Sequence, residues 1–215
     1  MPDDAQSPAA ILPGDEERTL LRDSMRRFLA QAWPVAGAVE RSAEPAALRR
    51  IWRQLAGQGV TTLGSEPVEG GVRELLVVLQ ELGRAACPAP LIDAALLNLA
   101  LGDRRDAAAI DRLLADIEGG ETYPCLSFGD VDPDRATGGV SFAHGCASGQ
   151  LNFVEGAAAA THFVVVVAGD EPLLAIVQAP AAGITITPTR AMGADGLCRV
   201  DLRDVPAFVV GVDRA

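Results

Sequence analysis

The stretch Gly149–Ala168, GQLNFVEGAAAATHFVVVVA, decides how the chain is read. It parses as a short strand, Gln150–Val154, a small-residue loop, Glu155–Ala160, and a second strand, Thr161–Val167. The second strand is an unbroken apolar run rich in valine, the pattern of a strand buried on both faces. In the loop, Gly156 and four alanines present nothing larger than a methyl group, so another surface can approach the backbone closely. Such an approach offers a seat for a flat ligand. Phe153, Val154 and Glu155, just ahead of the loop, are therefore the first candidates for function.

The same punctuation extends on both sides of this stretch. From Gly120 onward, short β-rich runs recur between Gly, Pro and Asp, which is an all-β signature. The candidate strands are Tyr123–Phe128, Gly139–Ala143, Gln150–Val154, Thr161–Val167, Leu173–Gln178, Ile184–Thr187, Leu197–Leu202 and Phe208–Val210. Their spacing predicts a small sandwich or barrel rather than a parallel sheet.

Before Gly120 the period is helical. Asp15 is a candidate N-cap, and Leu21, Met25, Phe28, Leu29 and Ala32 form one stripe that ends at Pro34. A second helix starts near Pro45 with Leu48, Ile51, Trp52 and Leu55 on one face. The turn-rich segment Val60–Gly71 separates it from a third helix, Val72–Ala86. Leu91–Leu101 is a fourth, apolar on most sides and placed centrally, and Asp106–Ile117 is a fifth. The predicted class is α+β: an extended arm over residues 1–14, an all-α helical domain over 15–120, and a small all-β sandwich or barrel domain over 121–215.

Composition excludes several functions. The net charge is −11 and every one of the 18 basic residues is Arg. Nucleic-acid binding is not expected, because phosphate affinity depends on Lys and Arg neutralisation. The abundance of Ala, Gly and Arg suggests a GC-rich, bacterial coding source. Hydrophobic residues make up 49% of the chain and aromatics only 4%, so the core must be aliphatic. Cys87, Cys125, Cys146 and Cys198 are widely spaced without a CxxC, as expected for reduced thiols. No apolar run has transmembrane length, since Asp93 and Asn98 break Leu91–Leu101. The N-terminus lacks a signal pattern. A cytoplasmic protein without membrane contact is the expectation.

Familiar catalytic fingerprints do not occur. There is no GxGxxG opening a helix, no GxxxxGK[ST] and no GxSxG. His144 and His162 have no partner at metal-ligand spacing, and Asp130, Asp132 and Asp134 lack the Gly and distal Glu of a calcium loop. No metal site is expected, and no catalytic residue is assigned.

Several local patterns carry a resemblance. They are IWRQLAGQGVTTLGSEPVEGG followed by LLVVLQELGRAACPAPL in the helical part, and LNFVEGAAAATHFVVVVA with the later VDLRDVPA in the β part. Their content and order resemble the acyl-CoA dehydrogenase family of flavoproteins over about residues 15–210. Members of that family fold as a helical domain, a middle β domain and a C-terminal helical bundle, and the chain ends at Ala215, where that bundle is expected to begin. The resemblance implies FAD as cofactor and an acyl-CoA or other acyl thioester as substrate. The implied reaction removes an α-proton and transfers a hydride from the β-carbon to flavin N5. In the family the catalytic glutamate lies in the C-terminal domain, so this chain alone is expected to be inactive unless that domain is supplied elsewhere. A homo- or hetero-oligomer is expected.

Carried over residue by residue, Leu126 and Ser127 match the strand that contacts the isoalloxazine with backbone and a hydroxyl. Phe153 matches an aromatic that packs by the flavin, and Val154 comes next to it. Glu155 takes a position where Thr or Ser is usual near flavin N5. The family's T-E-P-G-x-G-S-D loop is replaced by Ser127-Phe128-Gly129-Asp130-Val131-Asp132. Two readings stay open: part of an acyl-CoA dehydrogenase-type flavoenzyme, or a non-catalytic binding or assembly subunit with a degenerate flavin site. Without the resemblance, Phe153 and Val154 read as core and Glu155 as a solvated loop carboxylate.

Overall fold

The computed structural model describes residues 14–64, 70–104, 107–127, 139–167, 173–190 and 196–211. Six α-helices come first: α1 (Asp15–Ala32), α2 (Ala38–Ser42), α3 (Pro45–Ala56), α4 (Val72–Arg84), α5 (Leu91–Leu101) and α6 (Ala108–Glu118). Eight strands come after them: β1 (Pro124–Ser127), β2 (Ser141–Ala143), β3 (Cys146–Glu155), β4 (His162–Val167), β5 (Leu173–Gln178), β6 (Ile184–Pro188), β7 (Leu197–Pro206) and β8 (Phe208–Gly211). The expected order of helices and then strands is the observed one. The predicted arm, residues 1–14, lies outside the described residues apart from Gly14.

The helices form where the apolar stripes lie. On α3, Leu48, Ile51, Trp52 and Leu55 are all buried. Pro45 sits at its start, where a missing N–H costs nothing. On α4, Val77, Val78 and Leu82 face the core, and the Gly71 N–H donates to Glu74 Oε2 at 2.9 Å across the first turn. Three expectations need correction. Gly14, not Asp15, is the N-cap of α1, so Asp15 lies in the first turn, where its charge suits the helix dipole. The five-residue α2 has no sequence signal, since only Ala38 on it is buried and no stripe develops. Helix α5 is not central on all sides: Leu91, Ala94, Leu97 and Leu101 are buried, but Ile92, Leu96 and Leu99 are exposed.

The strands form two four-stranded sheets, with orders β1-β4-β5-β8 and β2-β3-β7-β6. Pairing is antiparallel except between β1 and β4, which run parallel with Leu126 opposite Val164. β4 is buried on both faces at Phe163, Val164 and Val165, as its valine run predicts. Leu151, Val200 and Leu202 of the second sheet join Phe163 and Val165 of the first in one continuous core. Each such fully buried side chain stabilises the fold by about 1.5–3 kcal/mol.

Two tryptophans tie distant parts of the chain together. Trp33 donates its indole N–H to Ala86 O at 3.2 Å, joining the end of α1 to the end of α4. Trp52 donates to Thr122 O at 2.7 Å and meets the Tyr123 ring edge-on, with ring centres 6.4 Å apart. Tyr123 is thereby fixed where α3 abuts the start of β1, and it lines a cavity between the helices and the strands.

Candidate functional site

The end of α4, the α4–α5 connection, the start of α5, β1 and the end of β3 enclose a cavity of about 550 Å³. That size is in the range that takes a small organic ligand. The five residues singled out from the sequence, Leu126, Ser127, Phe153, Val154 and Glu155, all line it. They converge because β1 and the end of β3 come together there, although β1 and β3 belong to different sheets.

A bulge in β3 positions the Phe153 side. The β3–β7 register shifts between Leu151 and Val154, and Phe153 has φ +56°. A left-handed backbone costs a residue with a Cβ roughly 1–2 kcal/mol, and a bulge re-aims the side chains around it. Phe153 consequently stands 65% exposed while its neighbour Val154, opposite Cys198, is buried. Glu155 is the last residue of β3, not a loop residue, and its backbone carbonyl accepts from Cys125 Sγ at 3.4 Å.

The small-residue loop does a different job from the one expected. Ala157–Ala159 form a 3-10 turn with Ala157 and Ala159 fully buried, and Arg49 of α3 donates to Ala159 O at 2.9 Å. A methyl group built on Gly156 would stand 2.7 Å from Tyr123 Oη. The close approach allowed by these residues is taken up by α3 and Tyr123. The open space lies on the other side, at Phe153–Glu155.

Four further lining residues, Cys87, Asp93, Tyr123 and Cys125, are not singled out by the sequence. Asp93, in the first turn of α5, matters most. β1 is an edge strand that pairs with β4 on one side, and on the other side the Leu126 N–H donates to Asp93 Oδ2 at 3.1 Å. Asp93 has a visible signal as the one acid near the start of an apolar helix, but in sequence it reads only as a break in hydrophobicity.

Burial dominates the electrostatics. Desolvation pushes the Asp93 carboxyl up to about 6; the Leu126 N–H opposes this and the Glu155 charge adds to it. Glu155 is raised by desolvation as well, although solvent reaches it along the cavity. Burial pushes the Cys87 thiol up to about 12 and raises Cys125 and Tyr123 well above their ordinary values, so these three stay neutral. Neither Arg nor His is among the described lining residues. Two carboxyls and no cation make a wall that repels anions, so any phosphate of a bound molecule belongs outside it.

Two of these residues depart from the contacts that the resemblance gives to a flavin. The Leu126 N–H is already engaged by Asp93. Glu155 offers a carboxyl where a hydroxyl donor is usual, and when ionised it can only accept. Phe153, at the mouth, keeps an aromatic face exposed. The loop expected to approach the cofactor, Phe128–Asp132, lies outside the described residues. Among the described residues, no group of three His, Cys, Asp or Glu is placed to hold a metal ion, and no helix is long and apolar enough to cross a membrane.

No family model matches the chain. A curated relative, acyl-CoA dehydrogenase IpdE2 of Mycobacterium tuberculosis, is 31% identical over 146 residues, which are 63% of this chain and 44% of that protein. Among solved structures, a Tcur3481-Tcur3483 steroid ACAD (G363A variant) is similar with a TM-score of 0.70 and 25% identity, covering 91% of this chain and 57% of that one. The ChsE4-ChsE5 complex from Mycobacterium tuberculosis is similar with a TM-score of 0.70 and 16% identity, covering 95% and 58%. The chain thus spans about half the length of the relatives it matches. Its helices and sheets have the fold of the helical and middle β domains of the acyl-CoA dehydrogenases, and it is acyl-CoA dehydrogenase-like in sequence.

Proposed function

We propose that this acyl-CoA dehydrogenase-like chain works within an enzyme assembly that dehydrogenates an acyl thioester, where it contributes a substrate-binding wall with altered flavin contacts. The observation that carries this is the engagement of the Leu126 N–H by Asp93 in the same cavity as Glu155. The cavity itself suits an acyl group. Leu79, Leu82, Ile92 and Leu126 supply apolar wall, and its acidic character keeps the phosphates of coenzyme A at the mouth.

The chain's own residues would bind and orient the acyl group and exclude water from it. No carboxylate here is assigned as the base. A C-terminal helical unit would bring that base and the rest of the flavin site, whether on the same polypeptide or on a partner. Domains over 15–120 and 121–215, a cytoplasmic location and assembly into a homo- or hetero-oligomer belong to the same proposal. The apolar residues Ile92, Leu96 and Leu99 exposed along α5 support the assembly.

The second reading is a FAD flavoprotein in which Leu126, Ser127, Phe153, Val154 and Glu155 hold the flavin. The exposed aromatic face of Phe153 at the cavity mouth favours it. The visible spectrum of the purified chain separates the two. Bound flavin that bleaches on addition of octanoyl-CoA would support the second reading. A colourless chain that still binds octanoyl-CoA would support the first.

A further inference from the structure

Asp93 stands apart from the rest of the cavity wall. Its Oδ2 is held by the Leu126 N–H, so the side chain is fixed rather than free to turn away. Asp93 lines the cavity, and the bond from Leu126 occupies only Oδ2, which leaves Oδ1 as the oxygen available to a bound molecule. Leu79, Leu82, Ile92 and Leu126 line the same cavity with side chains that offer no hydrogen bond, and Ser127, Asn152 and Glu155 are polar lining residues on the strand side. An acyl group with a plain alkyl tail would cover Oδ1 without pairing it, which costs the desolvation of a polar atom.

We propose that Asp93 Oδ1 is a specificity-determining group that selects acyl thioesters carrying an oxygen function, a ketone or a hydroxyl, on the buried part of the acyl group. This deepens the acyl thioester reading above and rests on it. The two functions are recognised differently. A ketone only accepts, so it pairs with the neutral acid. A hydroxyl pairs with either form, because it donates to the carboxylate. With the Asp93 carboxyl raised to about 6, the ketone is recognised in mildly acidic solution and the hydroxyl across the whole range. Of the titratable groups lining the cavity, Glu155 at the end of β3 acts on that titration, while Cys125 on β1, Tyr123 just before β1 and Cys87 on the α4–α5 connection are thiols and a phenol raised by burial. Burial is the main cause that holds the Asp93 value up, and the Glu155 carboxylate adds to it.

The test is calorimetric binding of three probes to the full chain: octanoyl-CoA and its two analogues with a ketone or a hydroxyl on the tail. Each is measured at about pH 5 and about pH 8, on either side of the Asp93 value. In the wild type, the ketone probe binds about tenfold more tightly than octanoyl-CoA at the lower pH and loses that preference at the higher one. The hydroxyl probe keeps its preference at both. Asp93→Asn keeps an acceptor for Leu126 and turns an N–H to the cavity, so the ketone preference becomes independent of pH. Asp93→Leu abolishes both preferences, with folding checked by circular dichroism. A merely structural role for Asp93 would weaken all three probes together and leave their ratios unchanged, which overturns the inference. Equal binding of all three to the wild type also overturns it while leaving the acyl thioester reading intact. Binding of none overturns both.

Discussion

The backbone N–H of Leu126 on β1 donates to the Asp93 carboxylate on α5 at 3.1 Å, so one hydrogen bond fastens the helical half to the free edge of a sheet. The bond is made by a carboxyl whose burial raises it from 3.8 to about 6. A raised acid is protonated more readily in the folded state, so the fold loses stability as pH rises from about 4 to about 6. Asp93→Asn accepts the same N–H without burying a charge. Urea unfolding is expected to show the variant more stable at pH 8, by at most about 3 kcal/mol, and nearly unchanged at pH 4. A loss of stability at pH 8 that is absent at pH 4 would mean that the ionised carboxylate is needed.

Gly156 is a tight point of the β3–β4 turn. Its φ is +66° and an added methyl would meet Tyr123 Oη at 2.7 Å, while that hydroxyl donates to Pro88 O at 3.1 Å. Gly156→Ala combines left-handed strain with a displaced tyrosine, for an expected loss of about 2–3 kcal/mol. A thermal melt measures it. A loss below about 0.5 kcal/mol would show that the ring gives way freely.

Phe153 holds a left-handed backbone without burying its ring. Phe153→Gly relieves roughly 1 kcal/mol of backbone strain, so the fold should be unharmed or slightly more stable. The variant should bind acyl thioesters or flavin more weakly, because the exposed aromatic face is gone. A variant that is destabilised while binding normally would return Phe153 to a structural role.

Glu81 on α4 is 3% exposed and accepts from Arg26 Nε at 3.0 Å and Nη2 at 2.8 Å, with Arg84 at 3.6 Å. Pairing with Arg26 outweighs desolvation and lowers its pKa. A lowered acid stabilises the fold above its unfolded value of 4.5, and that contribution is lost as pH falls through the folded value. Arg26→Ala should therefore lower the melting temperature clearly at pH 7 and by less as the pH falls below the unfolded value of 4.5. A loss independent of pH would point to packing of the arginine stem instead.

All eight strands and the longer helices are legible in the sequence, because each carries its own apolar period: Leu48, Ile51, Trp52 and Leu55 on α3, and Phe163 to Val165 on β4. The five-residue α2 is not, since a helix with one buried residue writes no period. At the site, family patterns locate Leu126, Ser127, Phe153, Val154 and Glu155, and the structure lines one cavity with them. Sequence alone could not say which side of the Gly156 loop is open. That depends on Arg49 reaching Ala159 O across 110 residues, and on Tyr123 filling the space beside Gly156. Asp93 is hidden for the same reason: its meaning comes from the Leu126 N–H, 33 residues away.

The most direct measurement is calorimetric titration of the chain, with whatever co-purifies, by octanoyl-CoA, beside the variant Ala89→Trp, whose indole would fill the cavity wall on the α4–α5 connection. Saturable binding by the wild type, weakened at least about tenfold in the variant, is the predicted result. No binding by the wild type, or equal binding by both, would contradict an acyl thioester site in this cavity.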